Sequence, residues 1–229
     1  MKTLLLMLMC VAAAAGQQEK TESRTVQVHG TGTIMTTPDQ IRLNVQVSTR
    51  AESAAEAMKE ASRKTADVLA LLKGFGVDPR DLQTSRVTVS AILDYQRNIQ
   101  PPPVIGYSGV NEFTVLFRNK LMDKVGEFLD KAAALGVTNF GGLMYESSAQ
   151  RDLEREALKK AAADAEARAG VLAKELGAAL GRVMNVSESM VSPAPVMRTG
   201  MMDATAAAAP VMTGELAINA QVTATFELK

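Results

Sequence analysis

The 229-residue chain has one cysteine, one histidine, no tryptophan and only 4% aromatic residues. With Cys10 the sole thiol, no disulfide or dithiol pair can form within the chain, and His29 together with Cys10 is too few ligands for a His/Cys metal cage. A charge excess is also lacking, since 25 Lys and Arg stand against 25 Asp and Glu. A nucleic-acid surface needs a basic excess or stripe and rings for stacking, and three Tyr and six Phe are few for that purpose. Nucleic acid is therefore not an expected partner. What the chain does have is 47% apolar content, ample for a packed core and against wholesale disorder.

The chain opens with Lys2, the apolar run from Leu4 to Ala15, small residues, and then the polar Gln17, Gln18, Glu19 and Lys20. That order is the one a secretory signal uses, so residues 1–16 are expected to be removed on export to the periplasm or beyond, with 17–24 as a linker. The run is too short for a membrane-spanning helix, which needs roughly 20 apolar residues. No stable transmembrane anchor is expected after removal. Met7, Leu8 and Met9 precede Cys10 where a lipoprotein signal wants small residues, so removal is expected in place of lipidation. Loss of Lys2 leaves 24 basic against 25 acidic residues. The mature chain is then thiol-free and almost neutral, and its stability in an oxidising compartment rests on its core.

From Thr25 onward strands and helices alternate. Val26, Val28 and Ile34 take alternate positions around Gly30 and Gly32, which predicts a strand with a bulge or a close backbone approach. After the turn residues Thr37, Pro38 and Asp39, residues Ile41, Leu43, Val45 and Val47 alternate without fault. Between Ala51 and Lys73 the period becomes helical, with Ala54, Met58, Ala61, Thr65, Val68 and Leu72 on one stripe and Gly74 and Gly76 at the end. Val87, Val89 and Ala91 start another strand, 96–103 with its three consecutive prolines reads as a hairpin loop, and Tyr107 to Phe117 returns. A helix is expected over Leu121 to Leu135, and a strand with Gly141 and Gly142 in its middle over Val137 to Ser147. The longest helix, Gln150 to Leu180, has the stripe Leu153, Ala157, Ala161, Ala165, Leu172 and Leu176, small enough to lie close on its neighbour. Arg182 to Met190 reads as a strand, 191–213 as a flexible loop rich in Pro, Ala and Met, and Gly214 to Leu228 as a final alternating strand. The order β-β-α-β-β-α-β-α-β-β predicts an α+β fold: mainly antiparallel sheet with amphipathic helices packed on one face, within one domain over 25–229.

The chain is poor in catalytic motifs. Gly30-Thr31-Gly32 lacks the third glycine and the following helix of a dinucleotide loop, and Gly106-Tyr107-Ser108-Gly109 is broken by Val110 as a nucleophile elbow. His29, between alternating valines, reads as an outward polar residue before it reads as a base. No catalytic or cofactor-binding residue is singled out. The compositional oddity is methionine: Met197, Met201, Met202 and Met212 crowd the predicted loop. Their thioethers are candidate Cu(I) ligands or an oxidisable sink, set against the plainer reading of adaptable apolar contacts, for example to a neighbouring subunit.

Several segments in order resemble the SIMPL, or DUF541, family of exported bacterial proteins. They are Val28-His29-Gly30-Thr31-Gly32 with Pro38-Asp39, Ser53-Ala54-Ala55-Glu56-Ala57, Ile105-Gly106-Tyr107, Lys124-Val125-Gly126 to Leu129-Asp130, and Leu135-Gly136-Val137 leading to Phe140-Gly141-Gly142. Leu172-Ala173 with Leu176-Gly177, and the closing Gly214-Glu215, complete the set; Thr213 stands where the family commonly has proline. The resemblance implies an α+β fold, residence in the periplasm or envelope, a link to oxidative-stress protection and homo-oligomers, with no established catalytic residue to carry over. The expected function is thus a non-enzymatic, oligomer-forming envelope protein. The alternative is a periplasmic small-ligand or copper-binding protein that uses the Met-rich loop.

Overall fold

The computed structural model describes residues 24–96, 99–196 and 214–229. Strict alternation builds two long neighbouring strands, β1 (Thr25–Thr36) and β2 (Gln40–Ala51). In β2 all four alternating residues, Ile41, Leu43, Val45 and Val47, are fully buried. Ser53 then caps α1 (Ala54–Phe75): its Oγ accepts from the Glu56 N–H at 3.2 Å and donates to the Glu56 carboxylate at 2.9 Å. Gly76, at φ 90°, ends the helix in the left-handed conformation that glycine adopts without strain. The hairpin of β3 (Leu82–Leu93) and β4 (Val104–Arg118) follows, closed by the Asp94 N–H donating to Pro103 O. A 3-10 turn over Asn119–Lys124 leads into α2 (Val125–Ala134), so the predicted single helix begins as a tighter coil.

Where one strand was expected around Gly141 and Gly142, there are two short ones, β5 (Asn139–Phe140) and β6 (Met144–Glu146). Both pair with β2, at Val45–Gln46 and at Gln40–Arg42, and the glycine pair lies between these two segments. The element order therefore has one strand more than predicted. Then come α3 (Gln150–Glu175), β7 (Leu180–Val196) and β8 (Glu215–Leu228). The helix stops five residues short of the predicted Leu180, and Gly177, at φ 69°, turns the chain toward β7. Strand β7 runs six residues beyond Met190, so 191–196 is strand and not loop. Pro193 and Pro195 are tolerated there because, among the described residues, β7 is an edge strand with no neighbour on its outer side to receive an N–H.

All strand pairs are antiparallel. One sheet has the order β1-β8-β7, and the other β3-β4-β2-β5 with β6 also on β2. The first sheet thus takes its strands from both ends of the described chain, and residues 40–146 between them build the second. Each sheet has its own core. Phe117 and Phe128 meet at 5.4 Å in the second, with Phe75 and Phe140 edge-on to Phe128. The first is built mostly of alanine, valine and isoleucine, closed by Phe226.

The bulge reading of Gly30 and Gly32 fails: β1 pairs with β8 in unbroken register from Thr25 opposite Glu227 to Thr36 opposite Leu216. Close approach is what the glycines provide. A Cβ on Gly30 would lie 2.1 Å from Ala161 O, and one on Gly32 would lie 2.0 Å from Ala157 O. Ala157, Ala161, Ala165, Ala169 and Ala173 carry the contact. This corrects the far end of the predicted stripe, because Leu172 and Leu176 are 44% and 70% exposed. The every-fourth-residue row winds slowly about a helix as the strands beneath it twist, and at this separation it admits alanine and not leucine. In the second sheet a Cβ on Gly109 would lie 2.6 Å from Ala57 O, so α1 is seated in the same way. Ala57, not Ala54 or Met58, takes the core position there.

Candidate functional site

The residues that the sequence picked out for chemistry are scattered. His29 is exposed on β1, opposite Thr223 of β8, with Nδ1 2.9 Å from the threonine Oγ1. Ser108 lies within β4, 3.5 Å from the Ser48 Oγ on the neighbouring strand. Gly30, Thr31 and Gly32 serve the α3 contact. Cys10, the predicted signal and Met197, Met201, Met202 and Met212 lie outside the described residues. Among the described residues, no group of three or more His, Cys, Asp or Glu is placed to hold a metal ion, and no helix is long and apolar enough to cross a membrane.

The carboxylates that do stand out tie elements together. Asp39, read from sequence as a turn residue, accepts the Ser148 N–H at 2.7 Å and the Ser148 hydroxyl at 2.5 Å. Its own N–H donates to Glu146 O and its carbonyl accepts from the Asn119 N–H. One residue thereby joins the β1–β2 turn, the end of β4 and the entry to α3. No local sequence signal reveals that, since Ser148 is distant in the chain. Nearby, the Arg42 guanidinium forms a bidentate pair with Glu146 at 2.6 and 2.9 Å, which raises the arginine further above its ordinary value.

Asp164 of α3 accepts the N–H of Thr31 at 2.8 Å. Among the described residues β1 is an edge strand, so this N–H has no strand partner of its own. The amide, followed by Arg168, holds the Asp164 carboxyl below the usual range. Asp78 is lowered to about 2, first by the Arg80 side chain at 2.9 Å and then by the Arg80 N–H.

The remaining feature is exposed apolar surface on edge strands. On β7, Val183 and Val186 lie opposite Phe226 and Ala224 of β8 and so face the α3 side, yet both are more than half exposed. On β3, Val87 and Val89 lie opposite Asn111 and Gly109 of β4, on the α1 side, and are also exposed, Val87 at 57% and Val89 at 39%. The sequence predicts β3 as an ordinary alternating strand. The strand forms as expected but lacks cover: α1 seats on Gly109 of the neighbouring β4 and leaves β3 bare, just as α3 seats on Gly30 and Gly32 of β1 and leaves β7, at the far side of its sheet, bare. Val171, Leu172 and Leu176 add an apolar shelf along α3, which borders Gln27 and His29 of β1 over part of its length.

Comparison with known proteins adds three findings. The family model SIMPL, described as "Protein of unknown function (DUF541)", matches residues 26–226. The 26 kDa periplasmic immunogenic proteins of Brucella melitensis biotype 1 and Brucella abortus are each 33% identical over 227 residues, 95% of this chain and 90% of theirs. The uncharacterized protein YggE of Escherichia coli K12 is 27% identical over 221 residues, 94% of this chain and 88% of that protein.

Proposed function

The chain belongs to the SIMPL family, and from that premise we propose that it is an exported, non-enzymatic protein of the bacterial envelope that works as a homo-oligomer. Its link to oxidative-stress protection then runs through assembly or binding and not through turnover. The periplasmic naming of the Brucella relatives supports the location, as does the signal-like order of residues 1–16. We propose that residues 25–229 act as one domain, which fits a first sheet drawn from both ends of the described chain around the second.

The observation that carries assembly is the bare apolar face of β7, with the shelf on α3, beside β1, as a second exposed apolar surface. Unpaired edges with exposed valines are surfaces that monomers avoid and that identical copies can cover. The near-neutral mature chain offers little charge repulsion against that association. Light scattering after size-exclusion chromatography of the protein starting at residue 17 tests this. A defined oligomer is expected, and Val183→Glu with Val186→Glu is expected to dissociate it. A strict monomer at every accessible concentration overturns the proposal.

A further inference from the structure

We infer that copies of this chain join head to tail, β7 of one copy adding as a parallel strand to the free edge of β1 in the next, with Val183 and Val186 seated beside α3. The inference rests on the homo-oligomer reading and names its junction. Antiparallel pairing turns the N–H and C=O of alternate residues toward the partner strand and those of the residues between away from it. On β1 the Arg24 carbonyl accepts from the Leu228 N–H of β8, whereas the Thr31 N–H is turned out to Asp164. By that parity Gln27 and His29 direct both backbone groups away from β8. On β7, Val186 lies opposite Ala224, the residue that faces Val28 of β1 and bonds toward it, so Val186 also directs its backbone groups outward. Among the described residues no strand meets either edge.

The two edges are complementary in cover. Val26, Phe226 and Val183 make one row across the sheet and Val28, Ala224 and Val186 the next, both on the face toward α3. At the β1 end of these rows Val28, Ala167, Val171 and Leu172 wall a groove with Gln27 and His29 at its lip. At the β7 end the valines are bare. Both β1 and β7 are antiparallel to β8 and so run the same way. A copy displaced by one step across the sheet therefore brings its β7 alongside β1, with the rows level and the valines on the α3 side. A two-fold junction of β7 with β7 leaves the groove empty, and one of β1 with β1 leaves the valines bare; the step covers both with one contact. Asp164 bounds it, because the Thr31 N–H is already taken at 2.8 Å and the stretch open beside the groove is Thr25 to His29. Arg168, which also lines the groove, is paired with Asp164 at 3.0 Å and presents no lone charge to the valines. Such a heterologous contact repeats from copy to copy, closing into a ring or running on as a filament.

The test is disulfide cross-linking of the protein starting at residue 17, which has no thiol of its own. His29 and Ser187 both lie opposite Thr223, one on each side of β8, and the step sets His29 of one copy beside Ser187 of the next. When His29→Cys and Ser187→Cys chains are mixed and mildly oxidised, dimers of unlike chains are expected, and neither variant alone should cross-link to itself. Val171→Glu with Leu172→Glu, placed in the His29→Cys chain, is expected to abolish the cross-link, and placed in the Ser187→Cys chain to leave it intact. All four substituted positions are exposed, so the melting temperature of each variant is expected to hold. Cross-links between like chains, or an equal effect of the glutamates in both chains, would overturn the junction. So would an oligomer by light scattering that yields no cross-link, a result that leaves assembly itself standing. A strict monomer overturns both.

Discussion

Replacing Gly30 by alanine is the sharpest single test of how α3 is held. In a strand, alanine is ordinarily preferred to glycine, by about 0.5–1 kcal/mol of backbone entropy. Against this, the new Cβ would lie 2.1 Å from Ala161 O, 2.4 Å from Ala165 N and 2.7 Å from Ala165 Cβ. Ordinary contact needs about 3.4 Å or more, so helix and strand must part by about 1 Å, and a gap of that size forfeits roughly a quarter to a half of each contact's attraction. The alanines of α3 that touch β1 and β8 all share that loss, because the helix moves as a body. Overpacking of this kind costs typically 1–3 kcal/mol, and with backbone atoms on the far side the upper end applies, so the clash outweighs the entropy gain. We expect a net loss of about 2 kcal/mol, read as a lower midpoint in urea and a melting temperature lower by about 4–8 °C. Ala165→Gly in the same background should restore little, since Ala161 O and Ala165 N remain. Gly170→Ala is the control: it lies on the same helix with nothing within 4 Å of its Cβ, and it should stabilise by up to about 1 kcal/mol. A neutral or stabilising Gly30→Ala would refute the close-contact account of α3.

Three further outcomes follow from named contacts. Ser53→Ala removes the cap on α1 and should cost about 1 kcal/mol in denaturant unfolding, with Ser53→Asp nearly neutral. Asp164→Ala exposes the Thr31 N–H on the β1 edge, so hydrogen exchange at that amide should speed up several-fold while Thr223 and its neighbours on β8 are unaffected; equal rates would mean the carboxylate does not protect the edge. The folded Asp78 carboxyl titrates at about 2, below its ordinary value near 3.8, so the stability it contributes is present above about pH 4 and is lost as pH falls toward 2. NMR titration of Asp78 should show that low midpoint, and Arg80→Ala should return it toward 3.8; a midpoint near 3.8 in the unaltered protein would contradict the Arg80 pairing.

Much of the architecture was legible because period and parity are local. The faultless alternation of Ile41 to Val47, and of Leu216 to Phe226, marked strands whose inward faces are indeed buried. The small-residue row on the longest helix announced a close partner, and Gly30 and Gly32 announced a close approach; together they describe the contact that exists. Cover, by contrast, was illegible. Val87 and Val89 alternate as well as Val45 and Val47 do, yet one pair is bare and the other fully buried, because strand order decides which strands lie under a helix. The same holds for Leu172 and Leu176, which periodicity assigns to the core until the helix comes so close that only alanine fits beneath it. Asn111 is the instructive middle case, a buried amide whose Nδ2 donates to Thr65 Oγ1 and whose Oδ1 has no hydrogen-bond partner among the described residues. Its inward orientation could have been read from the parity of Phe113, Val115 and Phe117, but its vacant carbonyl depends on Thr65, a partner 46 residues away. Features that depend on such distant partners, the bare edges and the unpaired amide among them, appear only once the sheets are assembled.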